Sequence, residues 1–192
     1  AMNAYGISAS NASIVSNTVF KIIKFGKASG EQLANSFGQV SPTARTLGVS
    51  LDELGASIAA LTKVQPTRVA ITSLNNMLSK MMKPTKESAK AMRDLGIDMS
   101  FSAIHSKGFA KVMEEVHDKL NGNIEALKNI FPDLRGQRAA MYLLGQGWND
   151  FSQQIKNFTS DTDAIGEAFE EFINNANVQL SMIPETLEKI KQ

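Results

Sequence analysis

Residues 41–62 read SPTARTLGVSLDELGASIAALT, and their punctuation decides the fold class. Gly48 suits the position just past a helix end, where a left-handed backbone is wanted. Ser50-Leu51-Asp52-Glu53 is a capping box: the serine hydroxyl and the glutamate carboxylate can each satisfy a free backbone N–H of the first turn. The helix it opens carries Leu51, Leu54, Ile58 and Leu61 on one stripe. Upstream, Ser41-Pro42 reads as an N-cap followed by proline at the first helical position, where a missing N–H costs nothing.

The same grammar extends in both directions. Upstream, Val15, Val19, Ile22 and Ile23 share a face within Asn11–Phe25, and Glu31–Gly38 forms a short helix. Downstream, Ile71, Leu74, Leu78 and Met81 form a stripe closed by Pro84. Thr85 caps a helix with Ala89, Met92 and Leu95 inward and Gly96 as terminator. Residues 97–107 change character. Ile97, Met99, Phe101 and Ala103 alternate with polar residues, which predicts an extended segment or small hairpin. Helical spacing returns at Phe109, Val112, Met113, Val116 and Leu120, then at Ile124, Leu127, Ile130 and Phe131. Leu134–Gly145 is short and apolar, and Trp148, Phe151, Ile155 and Phe158 make an aromatic stripe. A last, long helix is expected from Ser160, with Ile165, Phe169, Phe172, Ala176, Leu180, Ile183, Leu187 and Ile190 inward and a kink at Pro184.

The expected architecture is all-α: a multi-helix bundle of about eight or nine helices, a long C-terminal helix and one short extended segment near 97–107. Ala1 before Met2 reads as a vector-derived residue, and residues 1–10 as a flexible lead. Residues 11–96 read as an N-terminal helical part, 97–108 as an irregular or hairpin connection and 109–192 as a C-terminal helical part ending in a long helix, as separate parts or as one continuous domain. The apolar end residues Leu180, Ile183, Leu187 and Ile190 are the candidate partner or oligomer surface, because the stripe outruns a compact unit of this size.

Composition limits the chemistry. The 192 residues are 43% hydrophobic and 20% charged, which is ordinary for a globular chain. There is no cysteine, which removes disulfides, thiolate metal sites and thiol nucleophiles. The formal net charge is +1, but residues 1–96 carry a net +6 and residues 97–192 a net −5. Such a dipole suits internal complementarity or a partner at one end.

Candidate sites fail on spacing. His105 and His117 lie on different segments, and Glu114-x-x-His117 is a single copy of a motif that di-metal bundles need twice. No Gly-x-Ser-x-Gly occurs. Glu114-Glu115 and Glu170-Glu171 are adjacent, so on a helix they diverge by about 100° and cannot flank one substrate. Gly145-Gln146-Gly147 lacks a third glycine and a preceding strand, and reads as a helix break. Lys21, Lys24 and Lys27 line one helix face, and Lys80, Lys83, Lys86 and Lys90 form a second basic cluster. The second cluster has no interleaved aromatics and acids dilute the first only slightly, and both read as solvated faces rather than a nucleic-acid surface. No catalytic, cofactor or metal residue is assigned.

Four stretches in order carry a resemblance. Phe25–Thr62 (FGKASGEQLANSFGQVSPTARTLGVSLDELGASIAALT), Ala70–Asp98, Phe131–Gly147 (FPDLRGQRAAMYLLGQG) and the run TSDTDAIGEAFEEF together resemble the core region of phage tail tape measure proteins. The likeness spans roughly residues 12–180. It departs at Lys63-Val64-Gln65-Pro66, where the family usually turns on a glycine. The resemblance implies a non-catalytic structural protein of the virion, its gene carried by a prophage when found in a bacterial chromosome. Such chains template tail-tube length during assembly and leave the tube as DNA is ejected. Implied partners are the tail tube protein, tail assembly chaperones and tail tip or baseplate proteins, with self-association a further outlet. The implied locations are the tail lumen and, during assembly, the host bacterial cytoplasm. The competing readings are a helical protein–protein adaptor, and the non-catalytic part of a larger tail protein whose cell-wall-cleaving domain lies elsewhere.

Overall fold

The computed structural model describes residues 1–160 and Gly166; residues 1–161 form one compact unit. Its elements are α1 (Met2–Tyr5), α2 (Ala12–Phe25), α3 (Gly30–Leu47), α4 (Leu51–Thr62), α5 (Thr67–Met82), α6 (Lys86–Asp94), α7 (Phe101–Lys107), α8 (Phe109–Leu120), α9 (Ile124–Ile130), α10 (Leu134–Met141) and α11 (Trp148–Thr159). A 3-10 turn at Ala9–Asn11 precedes α2, and a π turn at Tyr142–Gln146 separates α10 from α11. The fold is all-α, and no strand occurs among the described residues. The long C-terminal helix and its Pro184 kink lie outside the described residues.

The centre is α4. From Leu54 to Thr62 every residue is buried, on all sides of the helix. A helix apolar all round must be surrounded, and α2, α5 and α11 pack around this one. Small residues make that possible: a Cβ on Gly55 would stand 2.5 Å from Phe158 Cε1 and 2.8 Å from Thr18 Cγ2. The Ser50–Glu53 box forms as expected, with Ser50 Oγ accepting from Glu53 N at 3.2 Å and Glu53 Oε2 accepting from Ser50 N at 3.0 Å. Around α5 lie α3 on one side and α10 on another. One contiguous core runs from Ile22 to Phe158, with Phe109, Phe131, Phe151 and Phe158 among its largest side chains.

Three expectations are corrected. The helices expected at 31–38 and from Pro42 are one continuous α3, capped by a Ser29–Gln32 box, with Pro42 inside. Proline there leaves the Gly38 carbonyl without its N–H partner, and Gly38 is exposed, so water can supply the bond. Ser41 is not a cap; its hydroxyl donates to Phe37 O at 2.7 Å and is fully buried. Of the extended segment or hairpin expected over 97–107, only 97–100 lie outside a helix. Ser100 Oγ accepts from Ala103 N at 3.2 Å and starts α7, so a side-chain cap overrides the alternating pattern. Gly108, at φ 84° and ψ 153°, then turns the chain straight into α8. That conformation is essentially reserved for glycine. Finally, Ile124 is 57% exposed rather than inward, although Leu127, Ile130 and Phe131 are buried as expected.

Residues 1–10, expected as a loose lead, include α1, and the Tyr5 hydroxyl donates to Val49 O at 3.1 Å. Burial chiefly pushes the Tyr5 phenol well above its ordinary pKa.

Candidate interaction surfaces

The residues singled out for chemistry are dispersed by the fold. His105 stacks on Phe101 within α7 at 5.5 Å between ring centroids. His117 instead ties α8 to the following elements: its ring lies 4.4 Å from that of Trp148, nearly parallel, and Nδ1 is 2.9 Å from Leu144 O. Glu114 pairs with Lys111 at 2.5 Å, and Glu115 with Lys107 at 2.8 Å. Among the described residues no group of three or more His, Cys, Asp or Glu side chains could hold a metal ion. Gly145 leaves helical geometry (φ −123°, ψ −117°), which makes Gly145-Gln146-Gly147 the expected helix break. No helix among the described residues is long and apolar enough to cross a membrane.

The first basic face is not simply solvated. Lys21 is 4% exposed, and its ammonium donates to Phe158 O at 3.1 Å and Ser160 O at 3.2 Å. It neutralises the carbonyl end of α11, where the helix dipole is negative. Burial raises the Asp52 pKa, an effect that the charge of Lys21 partly offsets. The second cluster does face solvent, with Lys83, Lys86 and Lys90 exposed.

Lys63, where the sequence departs from the family pattern, pairs with Asp150 at 2.5 Å. The other Asp150 oxygen accepts from Tyr142 OH at 3.3 Å, and Gln154 Nε2 donates to Oδ1 at 3.2 Å. Burial and the neighbouring Asp150 charge raise the Tyr142 phenol. The lysine turn is thus tied to α11, while its backbone closes on itself, with Val64 N donating to Leu61 O at 3.2 Å and Gln65 N to the same oxygen at 2.9 Å.

Three open surfaces have the character of contact sites. One is a groove of about 490 Å³ beneath α1, lined by Val15, Val19, Leu33, Ala34 and Phe37 among others. A second, of about 550 Å³, carries Met81, Met82, Met92, Met99 and the 54% exposed Phe101. The third is a pocket of about 320 Å³ holding Arg68, Arg135 and Arg138. Sequence reasoning passed over these arginines because Arg68 is remote from the other two and none belongs to a charge run. The sequence-derived candidates Leu180, Ile183, Leu187 and Ile190 lie outside the described residues.

Comparison with known proteins bears on what such surfaces serve. The family model described as "Phage-related minor tail protein" matches residues 1–132. A "Probable tape measure protein" of Clostridium phage phiCD119 is 22% identical over 200 residues, covering 98% of this chain and 21% of the relative. The "Tape measure protein" of Pneumococcus phage Dp-1 is 31% identical over 97 residues, covering 50% of this chain and 8% of the relative. The chain thus spans about a fifth of the first relative's length and less of the second's. No solved structure matches it.

Proposed function

This chain belongs to the phage-related minor tail protein family, and on that premise we propose that it is a segment of a tape measure protein. Its role is structural, as part of the phage tail. The longer chain to which it belongs templates tail-tube length during assembly and is released when DNA is ejected. In this reading it lies in the tail lumen of the virion, after assembly in the host bacterial cytoplasm. There it meets tube subunits, assembly chaperones and the tail tip or baseplate proteins, and self-association through Leu180, Ile183, Leu187 and Ile190 is a further contact. A prophage would be its genomic source in a bacterial chromosome. The reading gives this segment no catalytic step.

The observation that carries the reading is the likeness to the phiCD119 tape measure protein along 98% of the chain. A helical ruler adds about 1.5 Å of length per residue. Insertion of 40 helix-forming residues after Asp161, in the gene of a propagating phage, should therefore lengthen tails by about 60 Å in electron micrographs. Tails of unchanged length, assembled with the longer protein inside, would overturn the templating role.

A further inference from the structure

The arginine pocket is built by a close helix crossing. In α10, Gly136 sits against α5, where an added Cβ would lie 3.2 Å from Met77 N and 3.3 Å from Asn76 C. The missing side chain of Gly136 eases this close approach of the two backbones. The approach brings Arg135 and Arg138 of α10 beside Arg68, Val69, Thr72 and Ser73 of α5. All three arginines are exposed. None is ion-paired among the described residues, where the ion pairs are Lys63–Asp150, Lys107–Glu115 and Lys111–Glu114. The adjacent Asp133 does not neutralise them by contact; its carboxylate caps α10 by accepting from Gly136 N at 3.1 Å. Three uncompensated guanidiniums in one concavity attract anions, and planar guanidinium binds a carboxylate by two parallel hydrogen bonds.

The rim is apolar. Leu134, one residue before Arg135 and one turn before Arg138, is 71% exposed, the highest value among the large hydrophobic side chains of the described residues. Val69, in the pocket wall, is 36% exposed. We propose that this pocket docks an acidic polypeptide segment of a partner protein, its carboxylates on Arg68, Arg135 and Arg138 and an apolar side chain against Leu134 and Val69. Arginine is among the residues enriched at protein–protein hot spots. Nucleic acid fits less well. The pocket has no aromatic side chain on which a base could stack, and an exposed leucine contributes nothing to a phosphate. The inference is independent of the tail-length reading.

The test is fluorescence anisotropy with a labelled peptide of sequence EELEELEE, run at low salt on the 192-residue chain. Saturable binding is expected. It should weaken about tenfold in the double substitution R135A/R138A, weaken in L134A, and remain reduced in R135K/R138K, since lysine keeps the charge but not the fork. The K83A/K86A/K90A variant, which alters the other exposed basic face, should bind as the parent does. These positions are exposed, and circular dichroism of each variant checks that it is folded. The proposal is overturned by absent binding, by binding indifferent to the arginines, or by a duplex DNA oligonucleotide that binds the same arginines more tightly than the peptide.

Discussion

Replacing Gly55 by alanine should destabilise the unit, although alanine is the better helix former. The gain in helix propensity is about 1 kcal/mol. Against it stands a Cβ placed 2.5 Å from Phe158 Cε1 and 2.8 Å from Thr18 Cγ2, well inside van der Waals contact. Neither neighbour yields easily: Phe158 is 1% exposed and its ring lies 6.1 Å from that of Phe25, while Thr18 is held by a hydrogen bond to Ile14 O. Overpacking of this kind costs up to about 3 kcal/mol, which leaves a net loss of about 2 kcal/mol. The midpoint of thermal unfolding should fall by roughly 4–8 °C for a chain of this size. A cycle with Phe158→Leu identifies the cause, because leucine removes the atom that clashes. The double variant should be more stable than the sum of the single effects predicts, by about 1 kcal/mol. Urea unfolding followed by helical circular dichroism measures all four chains. A Gly55→Ala variant as stable as the parent, or strictly additive effects, refutes the idea that α4 is seated by the missing side chain.

Glu53 should matter more than its role in one capping box allows. Besides Ser50 N, its carboxylate accepts from Ala110 N at 2.8 Å, in the first turn of α8. With about 1 kcal/mol per lost cap, Glu53→Ala should cost about 2 kcal/mol and Ser50→Ala about 1 in urea titrations; equal losses would contradict the double role. Tyr5→Phe removes the bond to Val49 O and should cost about 1 kcal/mol at neutral pH. Because the folded phenol is raised above its ordinary value near 10, chiefly by burial, its contribution is complete below that pH and fades as pH rises further. Tyr5→Phe should therefore reduce the alkaline decline in stability measured by urea unfolding above pH 10, leaving the part that Tyr142 contributes.

Local signals that act over three or four residues were legible in the sequence. The caps at Ser50 and Thr85, the left-handed stop at Gly48 and the break at Gly145 all stand where the residues place them. Signals that depend on tertiary neighbours were not. Pro42 looks like a helix start until the Ser29 box upstream and the exposed Gly38 carbonyl show how the helix runs through it. The alternation at 97–103 is genuine, but a Ser100 cap starts a helix within it. Lys21 shares spacing with Lys24 and Lys27, and only the end of α11, 137 residues away in the chain, tells it apart. The arginine pocket forms where α10 meets α5 at Gly136, and nothing in the spacing of Arg68, Arg135 and Arg138 marks that meeting.

The ammonium of Lys21 also determines where tension would enter this unit. A chain pulled from beyond Ser160 would strain the bonds at the end of α11 first, and two of the carbonyls there are gripped by a lysine rooted in α2. Load is therefore shared with a second helix before α11 can unravel residue by residue from its end. The grip is a single charge on a flexible stem, so it can stretch before it breaks. The lysine thus ties the last turn of α11 to α2.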